Sequence, residues 1–162
     1  EYIKHGELVP NRVTIGMMEK RLNQPDVIHG GFVLDGFPRT VKQAEALDEI
    51  LFNLGIGLDK AISLEVPDDV VVARLSGRLG CTRCGAIYHA QNKPPLRDGL
   101  CDVCNSPLFV RSDDQPDTIR ERIRVFWEAT APVVDYYAAT GNLQRIDAQS
   151  SPESVAAVIV ST

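Results

Sequence analysis

The four cysteines of the chain form two pairs with the same internal spacing. Cys81 and Cys84 enclose two residues, Cys101 and Cys104 enclose two more, and sixteen residues separate the pairs. A two-residue gap lets both thiolates face one point, and two such pairs supply the tetrahedral sulfur coordination that structural zinc prefers. Two disulfides or four unrelated buried thiols are the alternatives, and iron is the second candidate metal. The spacing predicts a small metal-bound lobe over residues 80–110.

The balance of charge and hydrophobicity argues against two classes of partner. The 162-residue chain has a formal net charge of −5, and 44% of its residues are hydrophobic. General nucleic-acid binding needs a basic face, so no nucleic-acid partner is expected. No apolar run approaches the length of a membrane-spanning helix, so no membrane partner is expected either. Because the cysteines are spaced for a metal and no secretion signal is recognisable, we expect a cytoplasmic protein.

Short apolar runs alternate with helical patterns along the chain. Apolar spacing predicts helices over residues 11–22, 41–54, 68–78, 118–139 and 153–160, and strands over residues 32–34, 61–66 and 143–147. Phe32–Leu34 is wholly apolar, the form of a strand buried on both faces of a parallel sheet. Asn11 and Thr40 are candidate N-caps, and Pro132 is a candidate break in the fourth helix. The alternation predicts an α/β fold with a parallel sheet that helices cover on both sides.

The segment Asp35–Arg39 follows the first predicted strand, where ligands of open parallel sheets bind. A carboxylate that leaves an apolar strand needs water, a cation or a donor, so Asp35 is a candidate magnesium partner through water. Gly36 would let a ligand approach the backbone, and Pro38 would stiffen the turn that aims Arg39. The alternative is a hydrogen-bonded turn with a surface arginine.

Four arginines flank the cysteine lobe. Arg74 and Arg78 lie four residues apart on one predicted helix face before the lobe, Arg111 directly follows it, and Arg122 lies on the next helix. Guanidinium groups match phosphate oxygens in pairs, so a shared phosphate is the natural target in an acidic protein. Solvated arginines in surface ion pairs are the alternative.

The run Gly31–Thr40, followed by Gln43 and Ala44, resembles the nucleoside-monophosphate-binding signature of adenylate kinases. The same family pattern occurs at Leu8–Pro10, Gly77–Arg78, Arg111–Asp114, Ile119–Arg122 and Tyr136–Tyr137. The similarity covers essentially all 162 residues, and the cysteine lobe resembles the zinc-bearing lid of the long bacterial form. The resemblance implies a three-layer P-loop-kinase-type parallel sheet with helices on both faces and a small zinc-binding lid insertion.

The resemblance also implies a division of the chain. Residues 1–30 would be the remainder of the nucleoside-monophosphate-binding region, residues 31–79 and 111–162 the core, and residues 80–110 the lid. The family opens with a phosphate loop, G-x-x-x-x-G-K-[ST], that holds the ATP phosphates, and this motif does not occur in the sequence. By that comparison we expect roughly the first fifty residues of the family pattern to be absent, and residues 1–162 alone to be a poor catalyst.

Site residues implied by the resemblance fall into groups by role. Those expected to bind AMP are Glu7, Leu8, Val9, Gly36, Phe37, Pro38, Arg39, Gln43, Arg111 and Arg122. Those expected to contact ATP are Arg74, Arg78, Ile87, Tyr88 and Ser150. Those expected to act on the transferring phosphates, directly or through hydrated magnesium, are Arg78, Arg111, Arg122 and Asp35. A structural zinc is expected at Cys81, Cys84, Cys101 and Cys104, and Asp113 and Asp114 are expected to orient arginines.

The implied reaction is reversible phosphoryl transfer, in which Mg-ATP and AMP give two ADP. A monomer is expected, with ATP, AMP and ADP as its small-molecule partners. Another nucleoside monophosphate kinase, acting on UMP or CMP, is the first alternative. The long lid and Gln43, whose amide would read the adenine edge, argue against it. A non-catalytic zinc-knuckle binding module is the second alternative, and a phosphotransfer assay separates it from an enzyme.

Overall fold

The structure, a computed structural model, describes residues 2–5 and 7–161, except for the side chains of Ile3 and Lys4. Its α-helices are α1 (Asn11–Leu22), α2 (Pro25–Gly30), α3 (Val41–Leu54), α4 (Asp68–Ser76), α5 (Pro116–Val125), α6 (Ala131–Thr140) and α7 (Pro152–Val160). Its strands are β1 (Ala61–Glu65), β2 (Arg78–Cys81), β3 (Ile87–His89), β4 (Leu108–Phe109) and β5 (Leu143–Asp147). Short 3₁₀-helices cover Tyr2–His5 and Ser112–Asp114, and a π-helical turn covers Phe126–Thr130.

The chain divides into two compact units. The core unit comprises Leu8–Glu65 and Arg124–Thr162, and the lid unit comprises Val66–Ile123 with the described residues before Leu8. In the lid unit β2 pairs antiparallel with both β3 and β4. The finer division at residues 80 and 110 stays a prediction. No helix of the described residues is long and apolar enough to cross a membrane.

The core unit is built on a parallel sheet. Strands β1 and β5 pair in register from Ala61 opposite Leu143 to Glu65 opposite Asp147. Helices α6 and α7 pack against β5, and α3 packs against α6. Two strands that run the same way need a long crossover connection, and helices supply it here. The α/β class with a parallel sheet is therefore confirmed.

Helix α3 shows how the sequence forms the core. Thr40 caps the helix, because its Oγ1 accepts a hydrogen bond of 3.2 Å from the backbone N–H of Gln43. Leu47 and Leu51, four residues apart on one face, are buried in a cluster with Leu22 of α1. The predicted cap and the predicted apolar face of α3 are both confirmed.

The second tyrosine of α6 leaves a polar group in the core. Tyr137 is 4% exposed and packs with Ala44 and Val133. Its hydroxyl is buried and has no hydrogen-bond partner among the described residues, whereas the neighbouring Tyr136 donates to Asp48 Oδ2 at 2.7 Å. Burial, together with the negative charge of Asp48, raises the pKa of Tyr137, so the hydroxyl stays protonated.

The predicted strand Phe32–Leu34 is not a strand in the structure. Val33 is 95% exposed, while Phe32 and Leu34 pack against the cluster around Leu22 and Leu47. Among the described residues no strand pairs with this segment. Apolar content favours the burial of side chains, but a strand also needs a neighbour for its backbone N–H and C=O groups. The prediction of a strand buried on both faces is therefore wrong.

Helix α4 is shorter than its apolar spacing indicates. It ends at Ser76, Gly77 follows as its C-cap, and Arg78 opens strand β2. Arg74 lies in the last turn of the helix. Backbone pairing with β3 therefore overrides the helical pattern after Gly77. The prediction that the two arginines share one helix face is wrong.

Residues 118–139 do not form a single α-helix. Helix α5 ends at Val125, and the π-helical turn Phe126–Thr130 leads into α6. Pro132, the second residue of α6, has no backbone N–H, and its ring crowds the turn before it. A wider turn makes room for the ring, and this explains the break that was predicted near Pro132.

Candidate active site and metal centre

The four cysteines of the lid unit come together. All four Sγ atoms lie within 4.8 Å of one another. Cys81 Sγ is 3.4 Å from Cys104 Sγ, Cys84 Sγ is 3.5 Å from Cys101 Sγ, and none of the four is in a disulfide. Four sulfurs about 2.3 Å from one ion in a tetrahedron would lie about 3.8 Å apart. The cysteines are therefore positioned to bind a metal.

Each cysteine pair is followed by a residue in the left-handed backbone region. Gly85, after Cys84, has φ 72°, and Asn105, after Cys104, has φ 59°. Glycine adopts this region without a steric penalty, and asparagine is among the residues that tolerate it. The chain can therefore turn sharply after each pair, which aims both sulfurs of a pair at the same point.

Tyr88 packs against the cysteine cluster and is hydrogen-bonded to one of its members. Tyr88 is 4% exposed, its hydroxyl shares a hydrogen bond of 3.4 Å with Cys101 Sγ, and it accepts a hydrogen bond of 2.8 Å from the Asp102 backbone N–H. The hydrogen bond from Tyr88 lowers the pKa of the Cys101 thiol to about 6, which favours the thiolate that a metal requires. The contact with ATP expected of Tyr88 stays a prediction.

Three arginines of the lid unit gather around two aspartates. Arg78 donates to the Asp114 carboxylate through Nε and Nη2, at 2.7 and 2.6 Å. Arg111 donates to the Asp113 carboxylate in the same way, with both distances 2.9 Å. Arg122 Nη1 donates to the Asp113 carbonyl at 3.1 Å and lies 3.5 and 3.6 Å from the two carboxylates. The expectation that the aspartates orient arginines is confirmed.

The cluster combines a fully buried carboxylate with partly exposed guanidinium groups. The Asp114 side chain is 0% exposed, whereas those of Arg111 and Arg122 are 43% and 37% exposed. Burial raises the pKa of Asp113, but the hydrogen bonds and charges of the arginines outweigh it and hold the pKa below its usual value. The hydrogen bonds that Arg78 donates to the Asp114 carboxylate raise the pKa of Arg78. Three guanidinium groups and two carboxylates, 3 − 2, leave a net charge of +1.

The turn Asp35–Arg39 lies in the core unit and curls back on itself. Arg39 Nε donates to the Gly36 carbonyl at 2.8 Å, and Thr130 Oγ1 donates to the Arg39 carbonyl at 3.0 Å. Gly36 has φ 75°, and a Cβ at this position would lie 2.7 Å from Arg39 Nη2. The left-handed φ favours glycine here, and any other side chain would also have to displace the Arg39 guanidinium. The side chains of Asp35 and Arg39 are both exposed, as ligand-binding groups must be.

Gln43 is buried at the start of α3, with its amide fully engaged. The side chain is 2% exposed. Its Nε2 donates to Asn11 Oδ1 at 2.9 Å and to Thr14 Oγ1 at 3.1 Å, and its Oε1 accepts from the Arg39 amide at 2.7 Å. Reading an adenine edge would require one of these bonds to be exchanged. Asn11 is the first helical residue after Pro10 and does not cap α1, so that prediction is wrong.

The other expected contact residues lie at the surface or are half-buried. Arg74 is exposed on α4, Ile87 is 48% exposed on β3, and Ser150 is exposed three residues after β5. Glu7 is exposed and its backbone N–H donates to the Tyr2 carbonyl at 3.1 Å. The remaining residues are half-buried: Leu8, Val9, Phe37 and Pro38. Their assigned roles stay predictions.

Two side-chain pairings in these sites have no signal in the sequence. Tyr88 meets Cys101 across 13 residues, and Asn11 meets Gln43 across 32. The family resemblance marks Tyr88 only as a contact for ATP, and Asn11 is predicted only as a cap. The fold alone brings each beside its partner. The cysteine spacing and the flanking arginines, by contrast, are visible along the chain.

Comparison with known proteins identifies the family of the chain. The family model for adenylate kinase matches residues 1–142. An adenylate kinase of Carboxydothermus hydrogenoformans is 49% identical over 159 residues, which are 98% of this chain and 74% of that protein. The adenylate kinase of Acidothermus cellulolyticus is 48% identical, with 97% of this chain and 72% of that protein covered. The adenylate kinase of Archaeoglobus fulgidus is 47% identical, with 96% and 71% covered. The chain therefore belongs to the adenylate kinase family and is the chain of a phosphotransferase.

Proposed function

We propose that the protein carrying this chain transfers a phosphoryl group reversibly between Mg-ATP and AMP, so that one molecule of each gives two ADP. Membership of the family supports the reaction class. The observation that carries the site assignment is the cluster of Arg78, Arg111 and Arg122 around two aspartates, because phosphoryl transfer depends on positioning and neutralising phosphate charge.

The aspartates hold the arginines in a form that suits a phosphate ligand. Arg78 and Arg111 each use the Nε and Nη2 side of the guanidinium for a carboxylate. Within the described part of the chain the Nη1 atoms of both arginines have no hydrogen-bond partner, so they can donate to phosphate oxygens. Because the guanidinium planes are fixed beforehand, little reorganisation is needed when charge develops in the transition state.

The turn at Gly36 supplies the groups proposed for AMP. Arg39 would hold the AMP phosphate through a charge-assisted contact, with the backbone of Gly36 beside it. Gln43 would read adenine after exchanging a hydrogen bond with Thr14 or Asn11. Because Gln43 Oε1 accepts a hydrogen bond from the Arg39 backbone N–H, one hydrogen bond joins the residue proposed to read the base to the residue proposed to hold the phosphate.

The donor sets fit the two metals expected in this family. Four cysteine sulfurs leave no coordination position open, so zinc at Cys81, Cys84, Cys101 and Cys104 would be structural. Thiolate ligands favour a reducing compartment, and we place the enzyme in the cytoplasm. Asp35 is an exposed carboxylate of the kind that contacts hydrated magnesium, which would reach the site with ATP.

A coupled assay of protein expressed from its intact gene tests the proposal. ADP formation from Mg-ATP and AMP is expected, with far lower rates when UMP or CMP replaces AMP. Arg39→Ala should weaken the use of AMP roughly ten- to a hundred-fold, since a hydrogen bond to a charged group is worth about 1.5–3 kcal/mol. The KM for ATP should change much less.

Arg21→Ala is the matched control for Arg39→Ala. Arg21 is an exposed arginine of the core unit that pairs with Asp26 at 2.7 Å, and no role in the site is assigned to it. Its loss should leave both Michaelis constants within about two-fold. An Arg39→Ala variant with unchanged AMP dependence would reject the assignment of Arg39, and equal turnover of UMP would reject AMP as the substrate.

A further inference from the structure

The imidazole of His89 makes three contacts with backbone atoms, at Ala73, Gln91 and Asn92. Its Nδ1 lies 3.1 Å from the backbone nitrogens of Gln91 and Asn92, both of which are donors. Its Nε2 lies 3.2 Å from the Ala73 carbonyl, which is an acceptor. Nδ1 must therefore accept and Nε2 must carry the proton, so the partners assign a neutral ring with a single tautomer.

The ring of His89 also explains the glycine at the end of α4. A Cβ at Gly77 would lie 2.4 Å from both Cε1 and Nε2 of His89. The φ of Gly77 is −97°, which any residue adopts, so backbone conformation alone does not require glycine here. The Gly77 carbonyl accepts a hydrogen bond of 2.8 Å from the Ala90 amide. Gly77 thus lies against the His89 imidazole and is hydrogen-bonded to Ala90, the residue after His89.

Arg78 is the neighbour of Gly77 and the register partner of His89. Its guanidinium is fixed by Asp114 at one end, and its backbone is fixed at the other end by the contacts of His89 and Gly77. We propose that His89, as the neutral Nε2–H tautomer, is a positioning residue for Arg78. The proposal rests on the proposed function of Arg78 in phosphoryl transfer. His89 joins α4 to the loop after β3, so the start of β2 cannot shift without breaking its bonds.

Two conservative substitutions separate the roles of the ring nitrogens. Asparagine can place an acceptor near the Nδ1 position, and glutamine can place a donor near the Nε2 position. In the protein expressed from its intact gene, His89→Ala should lower kcat about ten-fold or more while the KM for AMP stays within two-fold. His89→Asn and His89→Gln should each recover part of the loss. Loss of stability alone would lower the active fraction, and kcat per folded molecule would not change.

A double-mutant cycle tests the contact with Gly77. Gly77→Ala should lower kcat because the new methyl group displaces the imidazole. Adding Gly77→Ala to His89→Ala should lower kcat little further, because the clashing ring is gone. Gly57→Ala is the control, since a Cβ at Gly57 meets nothing within 4 Å and its φ is not in the left-handed region. Additive effects of Gly77→Ala and His89→Ala would overturn the inference.

A measurement without turnover separates this inference from the proposed function. Long-range ¹⁵N–¹H correlation spectra of the wild-type protein should show the proton of His89 on Nε2. In Gly77→Ala the amide resonances of Gln91 and Asn92 should shift. A proton on Nδ1, or unshifted amides, overturns the positioning role even if the enzyme is active. A wild-type protein with the expected spectra but no phosphoryl transfer overturns the proposed function, and with it the catalytic meaning of the contact.

Discussion

At the scale of single residues, Asp113 and Asp114 of the lid unit fix the orientation of the arginine side chains. Asp114 is a fully buried carboxylate with two hydrogen bonds from Arg78. A buried charge is tolerated only with such partners, and removing one partner costs more than removing a surface ion pair. Asp113 keeps some contact with solvent and has two arginine neighbours, Arg111 and Arg122. The two aspartates therefore differ in what their loss would do.

Asp113→Asn should remove a part of the stability that depends on pH. The pKa of Asp113 is held below its ordinary value of 3.8, so its ionised form stabilises the folded state above about pH 4. This contribution is lost as the pH falls through the lowered pKa. At pH 7 the variant should have a free energy of unfolding about 1–3 kcal/mol lower than the wild type.

Urea titrations of both proteins in matched buffers from pH 7 to pH 3 measure that difference. It should shrink below about pH 4, where protonation removes the charge from the wild-type side chain as well. A difference that stays constant down to pH 3 would show that the ionised form of Asp113 is not what stabilises the cluster.

At the scale of secondary structure, backbone partners decide what apolar spacing leaves open. β5 and α3 have the predicted bounds, and β1 ends one residue earlier than predicted, because periodicity and end signals agree there. Phe32–Leu34 has the composition of a strand but no strand partner among the described residues. Arg78 continues a helical pattern but pairs with β3. In both cases the deciding hydrogen bonds join residues far apart in the sequence, and a local pattern carries no information about them.

Thr40→Ala should destabilise the core unit through its effect on α3. The Oγ1 of Thr40 accepts a hydrogen bond of 3.2 Å from the backbone N–H of Gln43, which also donates to the Thr40 carbonyl at 3.0 Å. Loss of such a cap costs about 1 kcal/mol, within a range of roughly 0.5–2. Thr40→Ser keeps the hydroxyl and should lie close to the wild type. Chemical denaturation measures both, and equal destabilisation by the two substitutions would count against the cap.

At the scale of the whole molecule, the two units are stabilised by different means. The core unit has clusters of buried aliphatic and aromatic side chains from several helices. The cluster in the cysteine lobe contains Cys81, Tyr88 and Cys101 as its buried members, with partly buried neighbours around them. So small a cluster buries little apolar surface, and a metal would supply what the lobe lacks. The cysteine spacing shows in the sequence that the lobe needs a metal. The contact of Tyr88 with Cys101 cannot be seen there.

Removal of the metal should therefore affect stability more than ground-state binding of AMP. We expect one zinc ion per chain, and a fall in the thermal midpoint of at least about 5 °C after chelation or in Cys101→Ser. The affinity for AMP, measured by calorimetry, should change less than about three-fold. Metal analysis with thiol titration provides the check. Four freely titrating thiols in a folded, metal-free protein would contradict the zinc assignment.

The pairing of Arg78, Arg111 and Arg122 with Asp113 and Asp114 also bears on how long a nucleotide stays bound. An arriving phosphate meets arginines that already have carboxylate partners, so it gains less than three unpaired guanidinium groups would offer. After the phosphate leaves, the same carboxylates still hold the arginines. A reversible enzyme must release products in either direction, and release often limits turnover. With phosphate bound as proposed, the aspartates would therefore shorten the residence time of the nucleotide.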